Sequence, residues 1–295
     1  MNRGWKTLLK DRKYGVEIEM TGISREKAAN TLCGLLGGEV RYLSGSYKTW
    51  VCVDAKGRKW KFVTDSSILT EGGGDNNTEM VTDILGWDDM EDLQEAVRQL
   101  RYAGARTNSS CGVHVHVNCG DMTAQHLKNL VNMFAMREEM IFRAVGTSDA
   151  RINRWSKRTD MDFVIQLNQE RNLTIGKTEN LWYKGKIDHT RYHYSRYYAL
   201  NFHSLWTGKG AEFRMFNGTL HAEKIKAYVA LCCGMVERAV TIRSTTYKTA
   251  ELADDAHSWK VWLYRIGMTG DYFANQRMWL TKNMDNGVTV PVNAA

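Results

Sequence analysis

The sequence predicts an α+β fold built on a mostly antiparallel sheet. Three observations carry that expectation. Seven segments alternate apolar and polar residues with a period of two. Three longer stretches repeat apolar residues at helical spacing. The two kinds of segment are interspersed irregularly, without the regular βαβ alternation that a parallel sheet requires.

Tyr14 to Met20 is the first strand, with Val16, Ile18 and Met20 on one face and Glu17 and Glu19 on the other. Residues 47–53 and 59–64 read as a hairpin around Asp54, Lys56 and Gly57. Residues 78–85 form the next strand. Gly112 to Asn118 sets Val113, Val115 and Val117 opposite His114 and His116. Residues 196–203 and 211–217 complete the set. A helix is expected over Arg25 to Leu36, after Ser24. A second starts near Asp88, where Glu91 three residues later resembles a capping box, and stops at Gly104. Leu127, Leu130, Val131, Phe134, Ile141 and Val145 make one apolar stripe, and Ile225, Val229, Cys232, Val236 and Val240 another.

The chain has 295 residues, 43% hydrophobic and 25% charged, with ten tryptophans, thirteen tyrosines and eight phenylalanines. That composition supports a sizeable core and excludes extensive disorder. One proline, Pro291, and the absence of a linker or repeat favour one domain over residues 1–250, with 251–295 as its helical C-terminal extension. The glycine cluster Gly72–Gly74, running on through Asp75 to Asn77, reads as a surface loop. Six cysteines without a CxxC pair are expected to be reduced thiols, which excludes a structural zinc site. Residues 1–13 lack an apolar signal-peptide run, and no stretch approaches the roughly 18 apolar residues of a membrane span. A cytoplasmic protein without membrane contact is therefore expected.

The net charge of +7 and a pI near 9.0 suit nucleic acid, another polyanion, or a pocket for ATP and acidic substrates. The basic residues are scattered, so charge alone does not choose among them. Arg191-Tyr-His-Tyr-Ser-Arg-Tyr-Tyr could be a stacking platform for nucleic acid, but a pocket wall or core role is preferred, and nucleic acid is not an expected partner.

The polar strand faces are where chemistry is expected. Glu17-x-Glu19 puts two carboxylates roughly 7 Å apart on one face, a spacing that suits Mg²⁺ or Mn²⁺. A solvated strand face is the alternative. His114-x-His116 repeats the arrangement with imidazoles, against the alternative of exposed edge histidines. Glu212-x-Arg214 pairs a metal ligand with a phosphate clamp, or is a plain salt bridge. Glu79 follows the glycine loop and offers a further carboxylate, or an exposed strand acid. Asn201 and Arg196 precede the Glu212 strand; a turn hydrogen bond and a surface charge are their plain roles. Four strands that each place ionisable groups on one face, with so few lysines, are hard to explain as chance solvated faces.

These segments resemble a known family. Tyr14-Gly-Val-Glu-Ile-Glu, Thr78-Glu-Met-Val, Cys111-Gly-Val-His-Val-His-Val and Ala211-Glu-Phe-Arg-Met-Phe-Asn-Gly-Thr-Leu are similar, in order and spacing, to the amidoligases of the carboxylate–amine ligase superfamily. The similarity covers about residues 14–245. It implies a curved, glutamine-synthetase-like antiparallel sheet with helices on one face and the active site on the other. It implies ATP and two or more Mg²⁺ ions, with Mn²⁺ as an alternative. Glu17, Glu19, Glu79, His114 and Glu212 would be metal ligands, His116 and Asn201 would lie on the nucleotide side, and Arg214 and Arg196 would face the transferred phosphate. Asp65 is the candidate base for the amine. Small-molecule or peptide carboxylates and amines are the implied substrates, and an oligomer is compatible with the family. The family's Ser-Pro pair after the Glu79 strand is Thr82-Asp83 here. The rival readings are a metal-dependent phosphodiesterase or nuclease and a non-catalytic binding module on the same fold.

Overall fold

The computed structural model describes residues 11–70, 75–247 and 256–285. Gly72–Gly74 and Pro291 lie outside them. Among the described residues the protein is α+β, with eight strands and eleven α-helices. The chain forms two compact units, Lys13–Val115 with Phe216–Val229, and Met1–Arg12 with His116–Met215 and Ala230–Ala295. Their boundaries fall inside the strand Gly112–Val117, the strand Ala211–Asn217 and the helix Ala222–Thr241.

The unit that contains Lys13–Val115 holds β1 (Tyr14–Met20), α1 (Arg25–Leu36), β2 (Glu39–Leu43), β3 (Thr49–Val53), β4 (Lys59–Thr64), β5 (Thr78–Val81), α2 (Met90–Tyr102) and the first residues of β6 (Gly112–Val117). The strand order is β2-β3-β4-β5-β1-β6. The pairs β2/β3, β3/β4, β4/β5 and β5/β1 are all antiparallel. The register aligns Ile18 with Met80 and Met80 with Phe62, all fully buried. This apolar row comes directly from the alternation, because side chains of one parity share a face. Helix α1 packs on β3 and β4 and against α2. It starts where predicted: Ser24 Oγ accepts the Lys27 N–H. Helix α2 starts slightly later than Asp88, after a short turn in which Asp89 Oδ2 accepts the Gly86 N–H.

Asp54 fixes the β3–β4 hairpin. Its Oδ1 accepts the backbone N–H of Lys56 and of Arg58, each at 2.9 Å. Its Oδ2 accepts from Arg58 Nε at 2.8 Å and from Trp60 Nε1 at 2.9 Å. Arg58 also reaches Asp89 and Asp92, which ties the hairpin to α2.

The second unit holds the end of β6, then α3 (Ala124–Ala135), α4 (Glu138–Val145), α5 (Asp149–Arg154), α6 (Met161–Gln169), α7 (Ile175–Trp182), β7 (Leu200–Asn201), α8 (His203–Trp206) and β8 (Ala211–Asn217). After β8 come α9 (Ala222–Thr241), α10 (Ala256–Arg265) and α11 (Ala274–Asp285). Strand order here is β6-β8-β7, with β7 and β8 antiparallel. Trp182 centres an aromatic core, its ring 5.3 to 5.5 Å from those of Phe163, Tyr198 and Phe202. Helix α11 packs on α4, and Trp259 of α10 donates to the Leu280 carbonyl of α11.

Two glycines set how the site strands enter and leave. A Cβ on Gly210 would lie 2.2 Å from the Val117 carbonyl oxygen, and its φ of +81° already favours glycine. A Cβ on Gly218 would lie 2.6 Å from Cys111 Cβ, where Gly218 N–H donates to the Cys111 carbonyl. Gly218, directly after β8, is thus a close-packing requirement.

Four expectations need correction. Residues 196–203 do not form a strand: a 3₁₀ turn covers Tyr194–Tyr197, then only Leu200–Asn201 pairs. The buried bond from Trp182 Nε1 to Ser195 Oγ and the His203 N–H on Asn201 Oδ1 turn the chain before and after it. The strand expected over 78–85 ends at Val81, because Thr82 Oγ1 takes over as acceptor for the Val16 N–H. The stripe from Leu127 to Val145 is two helices, broken at Arg137, whose φ of −123° is not helical. Strand β2 was not expected at all, since it is an exposed edge with no buried face to impose alternation. All six cysteines are free thiols, as expected.

The Asp54 carboxyl yields a pH prediction. Burial raises its pKa, but the bonds from Trp60 and Arg58 and the charge of Arg58 outweigh that and hold it below the ordinary carboxylate range. Its stabilisation is therefore complete above the unfolded value of about 3.9 and is lost as pH falls through the lower folded value. Asp54→Asn should cost about 1–3 kcal/mol at neutral pH, by weakening the acceptor shared by Trp60, Arg58 and two hairpin amides, while Arg58 keeps Asp89 and Asp92. Urea denaturation at several pH values should show the gap to wild type narrowing below about pH 4. A gap independent of pH would remove the assignment.

Candidate functional site

On β1, β6 and β8 the polar face includes groups that are buried, while Glu17, Glu79 and His116 are half-buried. Glu19 and Glu212 are each 4% exposed, His114 3% and Arg214 5%. Stripping an ionised side chain of water costs several kcal/mol unless other groups replace the water. The solvated-face alternative therefore fails, and the question becomes what compensates each group.

In the unit containing Lys13–Val115, β1 and β5 place Glu19 and Glu79 directly opposite each other in register. Like charges at opposed positions destabilise a strand pair. Strand β6 supplies two compensating groups. The Gly112 N–H donates to Glu19 Oε2 at 2.6 Å, and His114 Nε2 lies 3.8 Å from Glu19 Oε1. The other ring nitrogen, His114 Nδ1, is 3.1 Å from Glu17 Oε2. A carboxylate on Nδ1 fixes the ring's orientation and directs Nε2 toward Glu19. One ligand atom from each of Glu19, Glu79 and His114 lies within 4.8 Å of the others. Two carboxylates and one imidazole so arranged have the donor chemistry of a divalent-cation site.

The other unit builds a second constellation around Glu212 of β8. Asn201 Nδ2 donates to Glu212 Oε2 at 2.6 Å, across the β7–β8 register pair. Arg214, two residues along the same face, donates to Glu212 Oε1. His116 Nε2 lies 3.9 Å from that oxygen, and its Nδ1 is 3.1 Å from Ser204 Oγ. Arg214 is steadied by its Nε bond to the Trp155 carbonyl at 3.2 Å. A buried guanidinium beside a carboxylate, with an imidazole near, can bind a phosphate or carboxylate and spread its charge.

The structure thus brings Glu17, Glu19, Glu79 and His114 together in one unit, and His116, Asn201, Glu212 and Arg214 in the other. Asp65 caps a turn, its Oδ1 accepting the Ser67 N–H at 2.7 Å. Arg196 sits in the 3₁₀ turn, with its guanidinium 5.5 Å from the ring centres of both Tyr192 and Tyr197.

Three participants were missed by sequence reasoning. Ser204 positions His116. Arg151, 2% exposed, reaches the Arg214 carbonyl at 3.4 Å. His203 accepts or donates at 2.7 Å with Tyr183 Oη, and burial together with His193, Arg196 and His189 lowers its pKa. The readable signal for Arg151 was Ser148, which caps α5. Nothing in the spacing of Ser204 or His203 marked them.

The model of the family described as "Putative amidoligase enzyme" matches residues 10–236. The chain belongs to this family. No curated protein matches it. The match spans every strand of the amidoligase chain from β1 to β8 and all the residues of both constellations. Family membership makes the protein a ligase-type enzyme, concerned with amide bonds. Among the described residues no helix is long and apolar enough to cross a membrane.

Glu212 and Arg214 give a test of the second constellation. Arg214→Met strands a buried carboxylate and should destabilise the fold by about 3–5 kcal/mol, whereas Glu212→Gln with Arg214→Met should recover part of that loss. Denaturant titration of the two singles and the double measures the coupling. Additive losses would mean that the pair is not a unit.

Proposed function

We propose that this amidoligase-family chain is an ATP- and divalent-cation-dependent carboxylate–amine ligase with a glutamine-synthetase-like architecture. The observation that carries the reading is the Glu19–Glu79–His114 cluster, two opposed carboxylates and an oriented imidazole on adjoining strands. Such a set is poorly explained by stability, since a buried acid directly opposite a second, half-buried acid costs energy unless a cation joins them.

A carboxylate is a poor acylating agent because oxide is its leaving group. In the proposed reaction the substrate carboxylate attacks the γ-phosphorus of ATP and releases ADP. The resulting acyl phosphate is attacked by the amine, phosphate leaves with the C–O bonding pair, and the amine loses a proton to a base. Bound Mg²⁺ or Mn²⁺, held by Glu19, Glu79 and His114 with Glu17 orienting the imidazole, would supply charge neutralisation at the phosphates. Glu212 is assigned as a further ligand. Arg214 would bind the transferred phosphoryl oxygens, and His116 and Asn201 would serve the nucleotide side. Arg196 is assigned to the phosphate only secondarily, since its guanidinium is engaged with two tyrosine rings. Asp65 is the carboxylate assigned to take the amine proton. Small-molecule or peptide acids and amines are the proposed substrates, in a cytoplasmic setting, with residues 1–250 as the catalytic domain.

Calorimetric titration with ATP, with and without Mg²⁺, tests this reading. Wild type should bind ATP only with the metal, and Glu19→Ala and Glu212→Ala should each weaken binding by tenfold or more, with the fold intact by circular dichroism. Release of ADP in the presence of an acid and an amine should follow. Absence of ATP binding by the folded wild type would remove the proposal.

A further inference from the structure

Arg196 belongs to a larger surface array in the unit that contains His116–Met215. Starting at one end, Arg191 lies 5.6 Å from the Tyr192 ring centre. Arg196 lies 5.5 Å from Tyr192 and 5.5 Å from Tyr197. Tyr197 in turn is 5.5 Å from Trp155, and Arg154 covers Trp155 at 4.5 Å. Cations and rings therefore follow one another from Arg191 to Arg154, drawn from two separate chain segments.

The array is held in place. Arg196 donates to the Arg191 carbonyl, which closes the 191–196 turn. The Lys157 N–H donates to the Tyr197 carbonyl at 2.7 Å, and the Ala199 N–H to the Lys157 carbonyl at 2.8 Å, which joins the two segments by backbone. Ser195 anchors the turn from beneath through Trp182. Above, Tyr192 is 68% exposed and Tyr194 52%. Arg154, Lys157 and Arg191 are exposed. Burial does not explain Tyr192 or Tyr194, so of the pocket-wall or core role preferred from sequence the core part fits Ser195 and Tyr198 but not these two rings.

Charge narrows the partner. Residues 154–158 and 184–196 hold seven lysines and arginines against one acid, Asp188. Arg158 and Lys184 are paired with Glu139 and Asp160. An acidic polypeptide would satisfy the charge but make no use of the solvent-exposed aromatic surface of Tyr192 and Tyr194. A polymer that carries both phosphates and flat bases satisfies both. Double-stranded nucleic acid hides its base faces, whereas a single strand presents them.

We propose that this ladder binds single-stranded nucleic acid, with bases stacking on Tyr192 and its neighbours and phosphates meeting Arg154, Lys157 and Arg191. The ladder shares Arg196 with the proposed ligase reading, but the residues assigned to bind the strand, Tyr192, Arg154, Lys157 and Arg191, have no part in it, and binding needs neither ATP nor a divalent cation.

Fluorescence anisotropy of the full chain with a labelled oligothymidylate of about 20 nucleotides tests it, without metal or ATP. Wild type should bind, and a duplex of the same length should bind more weakly. Tyr192→Ala should weaken binding by about tenfold, while Tyr192→Phe, which keeps the ring, should retain it. Arg154→Ala with Arg191→Ala should lower the slope of log K against log salt by about 0.7 for each cation removed. Equal competition by inorganic polyphosphate would show a generic polyanion surface and overturn the proposal. So would the absence of binding by wild type, or tighter binding of an acidic peptide. Equal affinity of Tyr192→Ala and wild type would overturn it too. Both Tyr192 variants alter an exposed side chain, and thermal denaturation confirms that they fold.

Discussion

The desolvated carboxylate of Glu19 is the constraint from which the arrangement of β1, β5 and β6 follows. A buried acid requires donors at fixed positions, and it obtains one from the Gly112 backbone at the first residue of β6. That bond sets where β6 begins relative to β1. Once it is set, period-two alternation brings His114 to the same face, next to Glu17 and Glu19. The Cys111-Gly112 pair therefore has a double duty, since the Cys111 carbonyl also receives Gly218 at the exit of β8.

The Glu212 constellation solves the same physical problem differently. There the buried carboxylate is satisfied by side chains, with Asn201 on one oxygen and Arg214 on the other. Each partner is itself tethered, Asn201 through the His203 N–H and Arg214 through the Trp155 carbonyl. A hydrogen-bonded array in a low-dielectric setting loses more than one bond's worth of energy when any member is removed. Its geometry is consequently stiff, which is what recognition of a phosphate or carboxylate needs.

How much of this was legible depends on where the physical signal lies. Strands β1 and β6 were readable because each has one strictly apolar parity, and β4 and β8 because theirs is apolar up to the last residue, Thr64 and Asn217. The same parity assigned Glu17, Glu19, His114, His116, Glu212 and Arg214 to the opposite face. Alternation is the same whether that face is wet or dry, so the burial of Glu19 and Glu212 could not be read from it. Strand β2 escaped because its residues are exposed on both sides. Helices α5, α6 and α7 escaped because six to nine residues are too few for a stripe. Their caps, Ser148, Asp160 and Thr174, were the available clue. The aromatic run near Arg196 misled in the other direction. Its β-propensity is high, but Ser195 is pinned under Trp182 and the backbone turns instead.

The two kinds of charged feature in this chain sit on different scaffolds for a physical reason. The acids and imidazoles of the two constellations are on strands, whose register fixes opposed pairs such as Glu19 and Glu79. A helix would place equivalent groups three or four residues apart and let them splay with the turn. The exposed rings and guanidiniums from Arg154 to Arg191 are in short helices, turns and the segments after them, where solvent already satisfies the charge and exact spacing matters less. Burial, more than charge, therefore separates the groups that the fold holds rigidly from those it presents at the surface.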